Sequence, residues 1–269
     1  MTPKRLLPFI LAQISPRGCG GVKPPLRHLL LTLPLTLWAT TAAAQDACRQ
    51  SLALGLDVSG SVDQREYRLQ LDGLADALSD PEVTTALLTG TERPVLLAVY
   101  EWSDESFQRL LIDWIAITSP EALASVTGRL REMPRQPAPH TTAIGAAMLY
   151  GASLIARAPA CPKRTIDLSG DGKNNTGPRP QDVRDTPPLA GIVVNGLTIG
   201  GEPADHADPS LAELSAYYKA QVIHGPGAFV MTAENFESYA EAMARKLLKE
   251  LEGAPMTALP GPTRLAANP

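Results

Sequence analysis

Between Ser51 and Leu251, short apolar runs alternate with amphipathic segments, and that alternation leaves few folds open. "SLALGLDVS" (Ser51–Ser59) is apolar almost throughout, as a strand covered on both faces must be. Asp63–Leu78 then sets Tyr67, Leu71, Leu74, Ala75 and Leu78 on one helical face, and Asp63 with Glu66 forms a capping box. "PVLLAVYEWS" (Pro94–Ser103) predicts a second strand. "FQRLLIDW" (Phe107–Trp114) predicts a third, an edge strand paired to it through a short turn. Ser119 caps a helix that opens on Pro120. After a Pro-rich loop, Thr142–Ala156 reads as a helix of small residues and Arg164–Gly172 as a strand ending in a polar, Gly-rich turn. Val183–Leu189 is read as a short helix cut by Pro187 and Pro188. A strand over 191–201, a helix over Leu211–Ala220, a strand over 228–234 and a helix over Asn235–Leu251 complete the pattern. It predicts one doubly wound (Rossmann-like) α/β domain over residues 45–252, its central sheet mostly parallel and flanked by helices. Ligands of such folds sit beyond the carboxyl ends of the strands. The polar turns after Asp57, after Trp102 and around Asp171 fall at that edge, and the loop before Thr142 is placed to join them.

Residues 1–44 read differently. Lys23 and Arg27 precede an apolar stretch from about Leu29 to Trp38, which ends in Ala42-Ala43-Ala44 before Gln45. This is the pattern of a cleaved export leader, too short to span a bilayer. The first 21 residues are unusual ahead of such a leader, and a translation start near Val22 is a second reading. Removing residues 1–44 leaves 19 basic against 28 acidic side chains, a formal charge of −9. That balance gives no global attraction for nucleic acid or an anionic membrane face. The mature chain carries no membrane span, and the Pro/Gly/Ala-rich tail 253–269 is read as disordered. Cys48 and Cys161 remain as an even pair in an exported chain, where disulfides persist.

Asp57-Val58-Ser59-Gly60-Ser61 closes the first buried strand. On its own it reads equally as a turn and helix cap, because Asp and Ser are ordinary turn residues. In its strand context it resembles the first segment of the metal-ion-dependent adhesion site of von Willebrand factor A-type (VWA) domains. The family's other two segments have counterparts in order: Thr142 in "TTAIGAAM" and Asp171 in "DLSGDG". The chain further resembles a subgroup of exported bacterial VWA-like proteins of uncharacterised activity. Their loops read like "EWS", "SGDGxNN" and "GPGAFV", present at Glu101–Ser103, Ser169–Asn175 and Gly225–Val230.

The resemblance implies a metal site formed by Asp57, Ser59, Ser61, Thr142 and Asp171, with Glu101, Ser103, Ser169 and Asn174 at its rim or behind it. Glu101 has two readings, a ligand of a metal-bound water or a solvated rim residue. Hydroxyl and carboxylate oxygens are hard ligands that suit Mg²⁺ or Mn²⁺. In the family, an open coordination position takes an Asp or Glu carboxylate from a protein partner. The family usually places Thr or Ser directly before the third-segment Asp, where this chain has Gly170. The family's strand order also sets the first and fourth strands side by side. That order implies a Cys48–Cys161 disulfide at the end opposite the metal, the alternative being two free thiols.

Asp167, mid-strand, is read as a satisfied structural group rather than a ligand. His140, His206 and His224 are scattered in loops without ligand spacing. "GDGKNNTG" lacks the G-x-x-x-x-G-K-[ST] pattern that cradles nucleotide phosphates. No Ser–His–Asp or Cys–His arrangement is evident. The expectation is a non-enzymatic, exported domain that binds a divalent cation and through it an acidic protein group. A Mg²⁺-dependent hydrolase of phosphate or carboxylate esters, with Glu101 as base, is one alternative. A scaffold with a structural or vestigial site is another.

Overall fold

A computed structural model describes residues 47–201 and 210–252. The expected leader (1–44), the tail (253–269) and His206 lie outside the described residues. The chain runs β1 (Gln50–Asp57), α1 (Gln64–Ser79), α2 (Pro81–Leu88), β2 (Val95–Trp102), β3 (Gln108–Ile117), α3 (Pro120–Glu132), α4 (Ile144–Arg157), β4 (Lys163–Gly170), α5 (Pro180–Val183), β5 (Val193–Ile199), α6 (Leu211–Tyr217), β6 (Val230–Ala233) and α7 (Tyr239–Leu251). A 3₁₀ turn, Pro187–Leu189, precedes β5, and a π-helical turn, Tyr218–Val222, prolongs α6.

One six-stranded sheet has the order β3-β2-β1-β4-β5-β6. Every pairing is parallel except β2 with β3, the expected antiparallel edge. Every residue of β1 and β2 is buried, which is why both read as continuous apolar runs. One face packs Leu52, Leu54 and Leu56 against α1, α3 and α7. The other packs Ala53, Ile166 and Leu168 against α4 and the π-helical turn.

Local signals set several boundaries. Both bonds of the Asp63–Glu66 capping box form at α1. Ser119 accepts from the Ala122 amide ahead of α3. α2 went unexpected, although Asp80 caps it and Pro81 opens it. The Val183–Leu189 expectation is corrected: Val183 ends a short helix that begins at Pro180, and Pro187–Leu189 forms a separate 3₁₀ turn. α4 begins at Ile144, so Thr142 stands in the loop before it.

Strand register positions the two ends. Gln50 pairs with Lys163, and Leu56 with Ser169. The residues just before β1 and β4 therefore lie together at one end, and those that follow lie together at the other. At the first end Cys48 and Cys161 form a disulfide, their Cα atoms 5.3 Å apart. At the second, Asp57 and Asp171 flank the gap between β1 and β4. The chain progresses to one side of β1 through β2 and β3, then to the other through β4, β5 and β6. This gap is the topological switch point of the sheet.

Candidate metal centre

Asp57 ends β1, is 1% exposed, and accepts the Ser59 amide on Oδ1 at 2.8 Å. The Val58 amide is held by Trp102 O at 2.9 Å, and the Val62 amide by Ser59 O at 3.1 Å. This turn aims the Ser59 and Ser61 hydroxyls at one another, 3.3 Å apart. Thr142 is fixed from two other loops. Its amide donates to Asn175 Oδ1 and its carbonyl accepts the Asn175 amide, while the next amide, of Ala143, donates to Ser103 O. Thr142 Oγ1 then reaches Ser59 Oγ at 3.3 Å. Directly after β4, Asp171 Oδ1 accepts from Ser61 Oγ at 2.8 Å. All five expected site residues thus converge at the switch point, four of them linked side chain to side chain and Asp57 through its hold on Ser59.

Two carboxylates share this space. Burial pushes the Asp57 carboxyl well up from its ordinary range, and the neighbouring Asp171 pushes it further. Asp57 Oδ2 is buried without a hydrogen bond, as are Ser103 Oγ, Trp102 Nε1 and Tyr218 Oη. Buried polar atoms without partners are costly. A hard cation beside Asp57 would compensate the carboxylate. The donor set, two carboxylates and three hydroxyls, fits Mg²⁺ or Mn²⁺. No group of three or more His, Cys, Asp or Glu able to hold a metal exists among the described residues, so a site here must rest on hydroxyls.

The expected rim residues divide. Asn174 Oδ1 accepts from the Gly145 amide in the first turn of α4, and its Nδ2 donates to Thr176 O. It holds the Thr142 loop as a supporting residue. Ser103 is buried at the end of β2 and its carbonyl carries Ala143. Glu101 and Ser169 need correction. Glu101 pairs with Leu56, and Ser169 stacks beside Leu56 from β4, so both face α1 and α7 rather than the Asp57 side chain. Glu101 is 1% exposed, pairs with Arg109 at 2.6 Å and accepts from Tyr67 Oη. Ser169 Oγ bonds Tyr239 Oη. Neither lies on the rim. Asp167 is paired with Lys246 at 2.6 Å on Oδ1 and is only part satisfied, since its Oδ2 is buried without a hydrogen bond.

Two further residues support the site. A Cβ added at Gly170 would stand 2.5 Å from Tyr218 Oη and 3.1 Å from Asp57 Oδ2. The tyrosine hydroxyl therefore fills the place where a Ser or Thr side chain before Asp171 would stand. Gly170 was its only trace in the sequence. Asp104 accepts from Thr141 Oγ1 and Ser106, which draws its carboxyl down to about 2 and ties the loop after β2 to the Thr142 loop.

The sheet order and the placement of these segments at the switch point define a VWA-type fold. The chain belongs to the family described as "Protein of unknown function (DUF1194)", which matches residues 47–255. Solved structures share the fold at low identity. Proximal thread matrix protein 1 from the mussel byssus is 16% identical, with 76% of this chain and 48% of that chain covered and a TM-score of 0.55. A form of it with a zinc-occupied MIDAS motif is 18% identical, covering 77% and 47%, at 0.53. The pilus adhesin SpaC from Lactobacillus rhamnosus GG, in an open conformation, is 14% identical, covering 77% and 31%, at 0.51. The chain spans about half the length of the mussel protein and about a third of the adhesin. No functionally curated protein matches its sequence.

Proposed function

We propose that this domain captures acidic groups of a protein partner through a divalent cation, Mg²⁺ or Mn²⁺, held by Asp57, Ser59, Ser61, Thr142 and Asp171. The contacts that join Ser59, Ser61, Thr142 and Asp171, next to an Asp57 whose Oδ2 is buried without a hydrogen bond, carry the reading. The ion would supply a positive centre for an incoming carboxylate. Asp57 and Asp171 bring its charge balance, while three neutral hydroxyls leave it electron-poor. The mussel form with a zinc-occupied MIDAS motif and the pilus adhesin support a metal-dependent interaction role. The disulfide suits an oxidising compartment. We place residues 1–44 as an export leader and the domain, 45–252, in the periplasm or outside the cell. Among the described residues no helix is long and apolar enough to cross a membrane.

The hydrolase alternative loses its base, since Glu101 is occupied by Arg109 on the far face of the sheet. An immobilised Asp/Glu-rich peptide tests the proposal. The domain should be retained with Mg²⁺, released by chelator, and restored by Mg²⁺ or Mn²⁺. Retention indifferent to chelator would overturn the reading.

Tyr218 gives a smaller prediction. Its hydroxyl, pushed up by burial and by Asp57 and Asp171, borders the same space beside Gly170, where a β-carbon would stand, as Asp57 Oδ2 does. Supporting residues of metal ligands typically contribute about 10–100-fold in affinity. Tyr218→Phe should weaken Mg²⁺ binding by about tenfold in calorimetry while the metal-free protein keeps its melting temperature. Unchanged affinity would make the hydroxyl a bystander.

A further inference from the structure

The end of the sheet opposite Asp57 holds a cavity of about 510 Å³, within the range of small-molecule sites. It opens where β1, β4 and β5 begin. Its apolar wall includes Pro162, Val193 and Leu251, and its charged lining is Arg49, Lys163 and Arg164. Among the described residues, the side chains of all three cations hydrogen-bond only to main-chain carbonyls. Arg49 donates to Ala86 O and Leu87 O, Lys163 to Glu250 O, and Arg164 to Ala190 O. Arg49 Nε is buried with no acceptor. Glu92 acts on Arg49, and Glu250 on Lys163, only through longer-range attraction. The Glu250 carboxylate itself is taken by Lys246 and Asn195.

Three cations on one cavity have no carboxylate partner within ion-pair distance among the described residues, in a domain of net negative charge. Guanidinium forks match carboxylate and phosphate oxygens. The disulfide adds precision: Cys48 adjoins Arg49, and Cys161 lies two residues before Lys163, so the covalent bond pins both cation-bearing segments. We propose that this cavity binds an organic anion, its phosphate or carboxylate head on Arg49, Lys163 and Arg164 and its apolar body against Pro162, Val193 and Leu251. This site is independent of the metal centre.

Octyl phosphate titrated into the disulfide-intact chain by calorimetry tests it, with octanoate, inorganic phosphate and octanol as comparators. Octyl phosphate or octanoate should bind one to one, at least tenfold tighter than inorganic phosphate or octanol. The tighter of the two names the head group. Arg164→Gln, which gives up one main-chain hydrogen bond, should weaken binding at least tenfold, and Asp57→Ala should leave it unchanged. Amide shifts in NMR should map to Gln50, Gly191 and Val193, a readout that needs no variant. Equal affinity of the parent and Arg164→Gln would overturn the proposal. So would shifts mapping elsewhere, or inorganic phosphate binding as tightly as octyl phosphate.

Discussion

Asp57→Ala is expected to abolish divalent-cation binding, with at least a hundredfold loss of affinity and no calorimetric heat at millimolar Mg²⁺. Asp57 is one of two carboxylates at the site and the buried one; the others offered are hydroxyls. A cation that binds only the folded state at a hundred times its dissociation constant stabilises by about 2.7 kcal/mol. For a domain of this size that raises the melting temperature by roughly 5–10 °C. The parent should show this shift with Mg²⁺ or Mn²⁺ and lose it in chelator. Asp57→Ala should show none. In chelator it should be at least as stable as the parent, because it deletes a buried carboxylate whose Oδ2 has no hydrogen bond. The order of the two proteins then reverses with metal, which a merely misfolded variant would not reproduce. A parent indifferent to both ions would remove the site.

What could be read from the sequence depended on how local the determining physics was. β1 and β2 were legible because burial on both faces keeps their middles, Leu52–Leu56 and Val95–Val99, apolar. α1 and α3 were legible because their caps lie within a few residues of their starts. Asp57, Ser59 and Ser61 follow from a strand end and a turn. Thr142 and Asp171 were reachable only through resemblance, because the contact between Thr142 and Ser59 spans 83 residues. Glu101 and Ser169 were misplaced by nearness in sequence to the site. Side chains alternate across a strand, and the residue pairing with Leu56 cannot share a face with Asp57. Tyr218 was illegible: its hydroxyl reaches Gly170 from a π-helical turn, which has no local signature and is often found at functional sites.

Lys246→Met is expected to cost about 3–5 kcal/mol near pH 8, the size usual for breaking a buried pair, and about 1 kcal/mol less at pH 5. Lys246 is fully buried in α7. Its Nζ lies 2.6 Å from Asp167 Oδ1 and 2.6 Å from Glu250 Oε1. Asn195 also donates to Glu250 Oε1, whereas Asp167 Oδ2 and Glu250 Oε2 accept nothing. Two carboxylates around one cation leave a net negative charge in a low-dielectric core. Burial first, then the charge of Glu250, push the Asp167 carboxyl up to about 7, against the pull of Lys246. An unfolded chain releases this proton near pH 3.9. Between these values the native state alone keeps it. The stabilising contribution is therefore complete below about pH 4 and is lost as pH rises through about 7. Removing Lys246 removes the pull downward, so the carboxyl titrates higher, and the deficit, level between pH 5 and about 7, widens from there to pH 8.5. Urea midpoints at pH 5, 7 and 8.5 measure it. Adding Asp167→Asn should recover most of the pH-dependent part, because an amide carries no charge to compensate. A deficit equal at pH 5 and pH 8.5 would show that the lysine contributes only its packed stem, and that the buried charges are balanced without it.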